Sequence, residues 1–170
     1  MYKQSFESII SVEPRILILG SLPGDLSLEI NQYYGHPRNR FWKILFEIFN
    51  HEFSDDYEIR KQLILAHHLA LWDVAHSADR KGSMDVDMKN EIPNKIEDLL
   101  IKYPTIDKII FNGKKAEQLF WKYFDKKSSI NYISLPSTSP ANAQFTYQKL
   151  VDVWKKAMIL DEFTDTEMNL

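Results

Sequence analysis

The strongest constraint on the fold is an apolar run that ends in a glycine-rich loop. Residues 15–19 read Arg-Ile-Leu-Ile-Leu, and residues 20–24 read Gly-Ser-Leu-Pro-Gly. The run is hydrophobic on both faces, which predicts a buried strand. Three of the five glycines, Gly20, Gly24 and Gly35, lie in this region, and glycine serves where a backbone turns sharply or lets a ligand come close. We therefore expect the loop to lie at the carboxyl edge of a sheet, where open α/β folds bind ligands.

Length and composition favour one globular domain over residues 1–170, with an acidic tail at 161–170 that we expect to fray. The hydrophobic fraction of 44% is typical of a folded chain and excludes a disordered one. The sequence contains no cysteine, which excludes disulfides, a thiol nucleophile and a thiolate metal site. It shows neither a signal-like N-terminus nor a long apolar run, so we expect a cytoplasmic protein with no membrane insertion.

The charge distribution does not decide whether the protein binds nucleic acid. The net charge of −3 argues against a protein that coats nucleic acid, because such proteins are strongly basic. Acidic residues cluster at 55–58 and 161–167, whereas basic residues cluster at 38–43 and 114–127. One basic face is enough for contact with DNA, so composition leaves this function open.

Short apolar runs alternate with amphipathic segments along the chain. The runs predict four strands, because each is short and bounded by turn residues: 15–19, 69–74, 107–111 and 130–135. Apolar residues spaced by three and four predict helices at 37–49, 55–68, 96–103, 116–123 and 147–158. The alternation predicts a three-layer α/β/α domain with a central four-stranded, mostly parallel sheet. We expect a short lead-in over residues 1–14 and a polar loop over residues 77–83.

A parallel sheet brings four loops together at its carboxyl edge. These loops contain residues 21–39, 73–83, 112–115 and 137–142. None carries a Ser-His-Asp pattern, a zinc-binding HExxH motif, a carboxylate cluster or a phosphate-binding loop. The five histidines lack the spacing of metal ligands. The sequence therefore predicts neither a metal site nor a cofactor.

Three motifs carry a resemblance to a known family. They are GSLPG at 20–24, HPRNRFW at 36–42 and LPSTSP at 135–140. Together they resemble the uracil-DNA glycosylase superfamily, and the forms GSLPG, QYYGHPRN and LPSTSPAN are more similar to its hypoxanthine-DNA glycosylase branch. Leu22 stands where the superfamily usually has a water-orienting Asp or Asn, and Leu135 where it usually has a His or Asn. The hypoxanthine branch shares both departures, which favours a deaminated purine over uracil.

The resemblance implies an activity and a fold. The activity is that of a monofunctional, metal-independent DNA glycosylase, which hydrolyses the N-glycosidic bond of deaminated bases as the first step of base excision repair. The implied substrate base is hypoxanthine, with uracil and xanthine left open. The implied fold is the uracil-DNA glycosylase-like α/β/α sandwich. Damaged DNA is the implied partner, and we expect a monomer.

The resemblance also implies roles for individual residues. Asn39 corresponds to the functional asparagine of the branch, and its carbonyl oxygen is expected to hold the attacking water. Loop N–H groups are expected to face the departing base, with Tyr34 stacking on it and Asp73 reading it. The expected base pocket contains Ser21, Leu22, Pro23, Gly24, Tyr34, His36, Asp73 and Asn112. The expected DNA contacts are Arg38, Lys114, Ser137, Thr138, Ser139, Pro140 and Asn142.

These residues also have ordinary structural interpretations. Asn39 and Asp73 are residue types that cap helices or turns, and Tyr34 is of a type that packs in a core. His36 is able to shape its loop through hydrogen bonds alone. Lys114 is able to stand at a solvated helix end without touching DNA.

Two other functions stay open at this stage. The first is a lesion- or nucleotide-binding module of the same fold with weakened catalysis, which the apolar residues Leu22 and Leu135 would explain. The second is a flavodoxin-like binder of a small molecule, which would retain a chromophore on purification. An asparagine at position 39 favours the enzyme, because a binding module has no need for amide chemistry there.

Overall fold

The computed structural model describes the backbone of residues 1–168 and the side chains of residues 1–158. The strands in this part of the chain are β1 (Tyr2–Gln4), β2 (Ile9–Ile10), β3 (Ile16–Gly20), β4 (Leu69–Asp73), β5 (Ala75–Asp79), β6 (Lys89–Pro93), β7 (Lys108–Asn112) and β8 (Asn131–Leu135). The α-helices are α1 (Asp25–Ile30), α2 (Phe41–Ile48), α3 (Tyr57–Ala66), α4 (Ile96–Lys102), α5 (Lys114–Tyr123) and α6 (Tyr147–Met168). A single turn of 3₁₀-helix covers Asp85–Asp87.

The central sheet has the strand order β2-β4-β3-β7-β8. Strand β3 pairs in parallel with β4 and β7, and β7 pairs in parallel with β8. The predicted α/β class with a mostly parallel sheet is therefore confirmed. The sheet has a fifth strand beyond the four predicted, because the two-residue β2 pairs antiparallel with β4 at the edge.

Successive residues of β3 point to opposite faces of the sheet, as strand geometry requires. Leu17 and Leu19 belong to a core layer shared with α4 and α5. Ile18 belongs to the other layer, which is shared with α2, α3 and α6. All three side chains are fully buried. Helices therefore cover both faces of the sheet.

A second sheet, one additional helix and the start of α2 differ from the sequence expectations. Strands β1, β5 and β6 form a separate antiparallel sheet. Strand β1 lies in the expected lead-in, β5 ends in the expected polar loop, and β6 lies in a stretch for which the sequence predicts no element. The residues of β5, Ala-His-Ser-Ala-Asp, have weak strand preference, so backbone pairing on both sides decides their conformation. The short helix α1 lies within the expected loop 21–39. Helix α2 begins at Phe41 rather than near Pro37, because residues 36–39 form a turn closed by the Asn39 N–H and the His36 carbonyl.

The prediction for the C-terminus concerns residues 161–170, whose side chains the structure does not describe. Helix α6 extends to Met168, and residues 169–170 lie outside the described residues. The expected fraying of residues 161–170 therefore stays a prediction. Among the described residues, no helix is both long enough and apolar enough to span a membrane.

Candidate active site

A cavity of about 170 Å³ opens at the carboxyl edge of the central sheet. The last residues of β4 and β7 and the loops that follow β3 and β8 all contribute to it, as expected for a parallel sheet. Its volume is below the ~300–1,000 Å³ of pockets for drug-sized ligands, so it suits one base better than a whole nucleotide. The lining includes every residue of the expected base pocket, together with five others from the expected site: Asn39, Ser137, Thr138, Ser139 and Pro140.

The remaining expected DNA contacts lie outside this cavity. Lys114 and Asn142 line a neighbouring groove of about 570 Å³. The groove and the cavity share Ser137 and Ser139 in their linings, so they are continuous at the surface. Arg38 is exposed and lines neither, so the structure does not bring it together with the other expected contacts.

Three side chains form a hydrogen-bonded chain in the cavity lining, which we call the amide chain: Asn39, Thr138 and Asn112. The Thr138 hydroxyl donates to Asn39 Oδ1 at 2.9 Å and accepts from Asn112 Nδ2 at 3.0 Å. Asn112 Oδ1 in turn accepts from the Thr138 backbone N–H at 3.0 Å. Thr138 is fully buried. The chain therefore holds the Asn39 side chain at a set position relative to the ends of β7 and β8.

The partners of Asn39 determine which way its amide points. The Phe41 backbone N–H donates to Asn39 Oδ1 at 3.0 Å, and only the oxygen of an amide accepts such a bond. This N–H and the Thr138 hydroxyl together occupy both lone pairs of the oxygen. Among the described residues, Asn39 Nδ2 makes no hydrogen bond. The oxygen thus serves the start of α2, and the nitrogen is the atom left to contact a water or substrate.

Two other lining residues, Tyr34 and Asp73, meet beside Gly20, and we call them the acid–phenol pair. A Cβ placed on Gly20 would lie 2.7 Å from Asp73 Oδ1 and 2.8 Å from Tyr34 Oη. Any larger residue would displace both groups, which explains the glycine at the end of β3. The Tyr34 ring packs on Phe41 with ring centroids 4.1 Å apart, so its expected packing role is real. Its hydroxyl is buried and has no hydrogen-bond partner among the described residues.

Asp73 is a buried carboxylic acid at the end of β4. Its side chain is 3% exposed, and its Oδ2 accepts a hydrogen bond from the Ser5 hydroxyl at 2.8 Å. Burial raises the pKa of Asp73 to about 7, and the negative charge of Asp85 adds to the rise. The Ser5 hydrogen bond and the Arg80 charge act in the opposite direction. Burial also raises the pKa of Tyr34 far above its ordinary value, so that hydroxyl stays protonated.

Arg40 belongs to a basic cluster in the sequence, but its guanidinium binds backbone carbonyls of the protein itself. Its guanidinium donates to the backbone carbonyls of Ser139, Asn142 and Phe145. Its backbone N–H donates to the Thr138 carbonyl at 3.1 Å. Arg40 therefore joins the start of α2 to the loop after β8, and the two motifs that supply Asn39 and Thr138 are held together.

Arg80 has a similar role on the other side of the glycine-rich loop. It is 1% exposed and donates to the carbonyls of Pro23 and Gly82. The connection between β5 and β6 also supplies two residues to the cavity, Ser83 and Asp85. The sequence analysis placed Arg80 and Ser83 in a loop at this edge without assigning either to the site, and it did not include Asp85. A buried arginine that binds carbonyls leaves no periodic pattern in the sequence.

The other residues of the expected pocket have simple local roles. His36 Nδ1 accepts from the Arg38 N–H at 3.0 Å, so this nitrogen carries no proton and the ring shapes the turn before α2. Leu22 lines the cavity, whereas Leu135 packs in the core. Among the described residues, no group of three or more His, Asp or Glu side chains is arranged to hold a metal ion.

Comparison with known families identifies the class of protein to which this fold and site belong. The Uracil DNA glycosylase superfamily matches residues 8–158, a range that contains all three motifs. The chain belongs to the uracil DNA glycosylase superfamily, as the motifs predict.

Individual relatives place the chain near one branch of that superfamily. A Methanosarcina barkeri protein (strain Fusaro / DSM 804) named hypoxanthine DNA glycosylase is 40% identical over 117 residues, which are 68% of this chain and 74% of the relative. A protein of the same name from Methanosarcina acetivorans is 34% identical over 149 residues, which are 86% and 92% of the two chains. The solution NMR structure of a candidate uracil DNA glycosylase from Methanosarcina acetivorans superimposes with a TM-score of 0.74 at 31% identity, covering 92% of this chain and 99% of the other. The predicted branch and fold are confirmed.

Proposed function

We propose that this protein is a monofunctional DNA glycosylase that releases hypoxanthine from DNA by hydrolysis. The observation that carries the proposal is the base-sized cavity in which all three motifs of the superfamily meet. The two relatives named hypoxanthine DNA glycosylase support both the reaction and the base. No lysine lines the cavity within the described part of the chain, which favours attack by water over attack by an amine that would lead to strand cleavage.

The reaction sets two tasks for the protein. A water oxygen forms a bond to C1′ of the deoxyribose while the bond from C1′ to the base breaks. The base leaves with the bonding electrons, and a proton from the water balances the charge on the products. The sugar is oxocarbenium-like in the transition state, as in other glycoside hydrolyses. The protein must therefore place the water and stabilise negative charge on the base.

Asn39 is the residue that we assign to the water. Its Nδ2 has no hydrogen-bond partner among the described residues, and Thr138 and Phe41 hold the amide in one orientation. An N–H donor holds a water by its oxygen without removing its proton. This is sufficient for an oxocarbenium-like transition state, because the sugar carbon is already strongly electrophilic. Leu22 contributes apolar surface and no alternative water ligand.

The groove next to the cavity is the surface that we assign to the DNA backbone. It contains the exposed Lys114 and the polar side chains of Ser137, Ser139 and Asn142. These groups are of the kind that bind phosphate and sugar without reading sequence. Extrusion of the base into the cavity costs a few kcal/mol and is least costly at a mispaired base, which contributes to selectivity for damage.

A base-release assay tests this proposal. Duplexes that carry hypoxanthine, uracil or xanthine are incubated with excess protein, and free base and strand breaks are measured separately. A duplex with adenine at the same position is the control. We expect release of hypoxanthine faster than uracil, no release of adenine, no strand break before alkali, and full activity with a chelator present.

The same assay separates the alternatives. Tight binding to hypoxanthine duplexes without release would favour the weakened binding module, and a chromophore that remains bound after purification would favour the small-molecule binder. Release of uracil at least as fast as hypoxanthine would overturn the base preference. The monomeric state and the cytoplasmic location stay predictions, of which light scattering of the purified protein tests the first.

A further inference from the structure

We infer that Asp85 is a further catalytic residue, whose carboxylate stabilises the positive charge that develops on the deoxyribose as the base leaves. This inference rests on the proposed function and deepens it, because it assigns a part of the reaction that Asn39 does not perform. Asp85 acts through its charge alone, so it forms no bond to C1′ and takes no proton. It lies in the connection between β5 and β6, outside all three motifs.

The place of the sugar follows from the two surfaces assigned to the DNA. The base occupies the cavity, and the phosphates occupy the neighbouring groove. The deoxyribose is bonded to both, so it lies where the cavity and the groove meet. Four residues belong to both linings: Ser83, Asp85, Ser137 and Ser139. Because the other three are serines, Asp85 supplies the charged side chain at this junction.

The glycine-rich loop holds the Asp85 carboxylate in place. Asp85 Oδ1 accepts a hydrogen bond from the Ser21 hydroxyl at 2.7 Å. The Ser83 hydroxyl accepts one from the Asp25 backbone N–H at 2.8 Å, so two hydrogen bonds join the connection to the loop. Among the described residues, Asp85 forms no ion pair, and the buried Arg80 donates to backbone carbonyls instead. The second carboxylate oxygen and the negative charge are therefore available to the substrate.

The reaction creates the charge that this carboxylate attracts. The sugar is oxocarbenium-like in the transition state, so positive charge develops on C1′ and on the ring oxygen. A fixed negative charge attracts this sugar more strongly than it attracts the neutral sugar of the substrate, which is the condition for catalysis. Water screens the exposed carboxylate in the free protein. Bound DNA displaces that water, which strengthens the attraction when the substrate is in place.

The other acids of the cavity are less well placed for this function. Asp25 and Asp73 line the cavity, but neither lines the groove, so neither lies at the junction. Asp85 is also distinct from the acid that the superfamily usually has in the first motif, because that position is Leu22 in this chain. The hydrogen bond from Ser21, the residue before Leu22, brings a carboxylate to the same loop from a different element.

The charge predicts a separation of binding from rate. A carboxylate beside the DNA repels the phosphates of the uncleaved duplex, whereas it stabilises the transition state. Its removal should therefore slow release while binding stays the same or becomes tighter. A residue that only shaped the loop would lose binding and rate together.

Asp85→Asn removes the charge and keeps both the shape and an oxygen for the Ser21 hydroxyl. We expect an unchanged melting temperature and a loss on the order of 10²-fold in single-turnover release of hypoxanthine, the effect of removing one electrostatic group from an active site. Asp87→Asn is the matched control, because Asp87 is on the same turn of 3₁₀-helix but lines neither the cavity nor the groove. Wild-type release by Asp85→Asn, or equal losses in the two variants, would overturn the inference.

Binding to sugar analogues tests the charge without the reaction. One duplex carries a pyrrolidine ring in place of the target deoxyribose, and a second carries tetrahydrofuran there. The pyrrolidine ring is cationic and the tetrahydrofuran ring is neutral. We expect the wild type to prefer the pyrrolidine duplex, Asp85→Asn to lose roughly tenfold of that preference, and Asp87→Asn to keep it.

The two experiments distinguish the inference from the function on which it rests. An Asp85→Asn variant with the wild-type preference for pyrrolidine would overturn the inference, whatever its rate of release. Failure of the wild type to release any deaminated base would instead overturn the proposed function.

Discussion

The amide chain and the acid–phenol pair line the same cavity but differ in how well their polar atoms are satisfied. In the amide chain, the Thr138 hydroxyl both donates and accepts, and Asn39 Oδ1 has two donors. In the acid–phenol pair, the Tyr34 hydroxyl is buried without a hydrogen-bond partner in the described part of the chain, and Asp73 is a buried acid. A satisfied network holds its members in place, whereas an unsatisfied one gains energy when a ligand supplies the missing groups. We propose that the amide chain positions the reaction and that the acid–phenol pair contacts the base.

Asn39→Ala should have the largest effect on the rate. If Asn39 Nδ2 holds the water, single-turnover release should fall by roughly 10²-fold or more for every base that is released, because the attacking water is no longer positioned. Asn39→Asp should retain more activity, because one carboxylate oxygen can keep the Phe41 and Thr138 hydrogen bonds while the other faces the water. Both rates and melting temperatures are measured on the same samples. A less stable Asn39→Ala variant with normal release would leave Asn39 as a helix cap only.

Thr138→Val should have a smaller effect of the same kind. It removes the hydroxyl that joins Asn39 to Asn112 while keeping the side-chain shape, and the loss of one such hydrogen bond corresponds to about a tenfold slower release. Thr138→Ser keeps the hydroxyl and is the matched control. Binding to hypoxanthine duplexes should be little changed in either variant. Loss of binding with an unchanged rate would show that the amide chain holds DNA instead of the water.

Asp73 should also make folding stability depend on pH. Its pKa of about 7 in the folded protein lies above the ordinary value of about 4 for an unfolded chain. Between these values the folded state binds more protons, so this group's contribution to stability is greatest below pH 4 and is lost as the pH rises to about 7. The melting temperature of Asp73→Asn, minus that of the wild type, should therefore increase as the pH is raised from 5 to 8. Parallel curves would show that Asp73 is ionised throughout.

The smallest expected effect concerns salt. Each neutralised phosphate adds roughly 0.9 to the slope of log affinity against log salt concentration. Because the net charge is −3, we expect a shallow slope. Because Lys114 lies in the groove, Lys114→Ala should reduce that slope by the value of about one phosphate contact. Arg38→Ala is the comparison, since Arg38 lies outside the groove and the cavity. An Arg38 effect larger than that of Lys114 would place the DNA on a different surface.

The sequence was sufficient for the central sheet and for the loops that meet at its edge, because apolar runs and turn residues are local signals. It was not sufficient for the sheet formed by β1, β5 and β6, because the central strand β5 reads Ala-His-Ser-Ala-Asp and has weak strand preference. It also did not reveal that two donors of the protein occupy Asn39 Oδ1, so that the water contact we propose moves from the oxygen to Nδ2. The hydroxyl that occupies the oxygen belongs to Thr138, which is 99 residues away in the chain. Contacts at that separation depend on the folded structure and leave no spacing pattern to read.

The hypoxanthine-to-uracil ratio of single-turnover rates tests the division of roles between the two groups most directly. It is measured at pH 6.5 in the wild type, Thr138→Val and Tyr34→Phe. We predict an unchanged ratio in Thr138→Val, because the water serves both bases equally. We predict a lower ratio in Tyr34→Phe, because Tyr34 lines the cavity, its hydroxyl has no hydrogen-bond partner among the described residues, and the O6 and N7 edge of hypoxanthine offers that hydroxyl more acceptors than the O4 edge of uracil. A ratio that changes in Thr138→Val, or stays constant in Tyr34→Phe, would contradict the account.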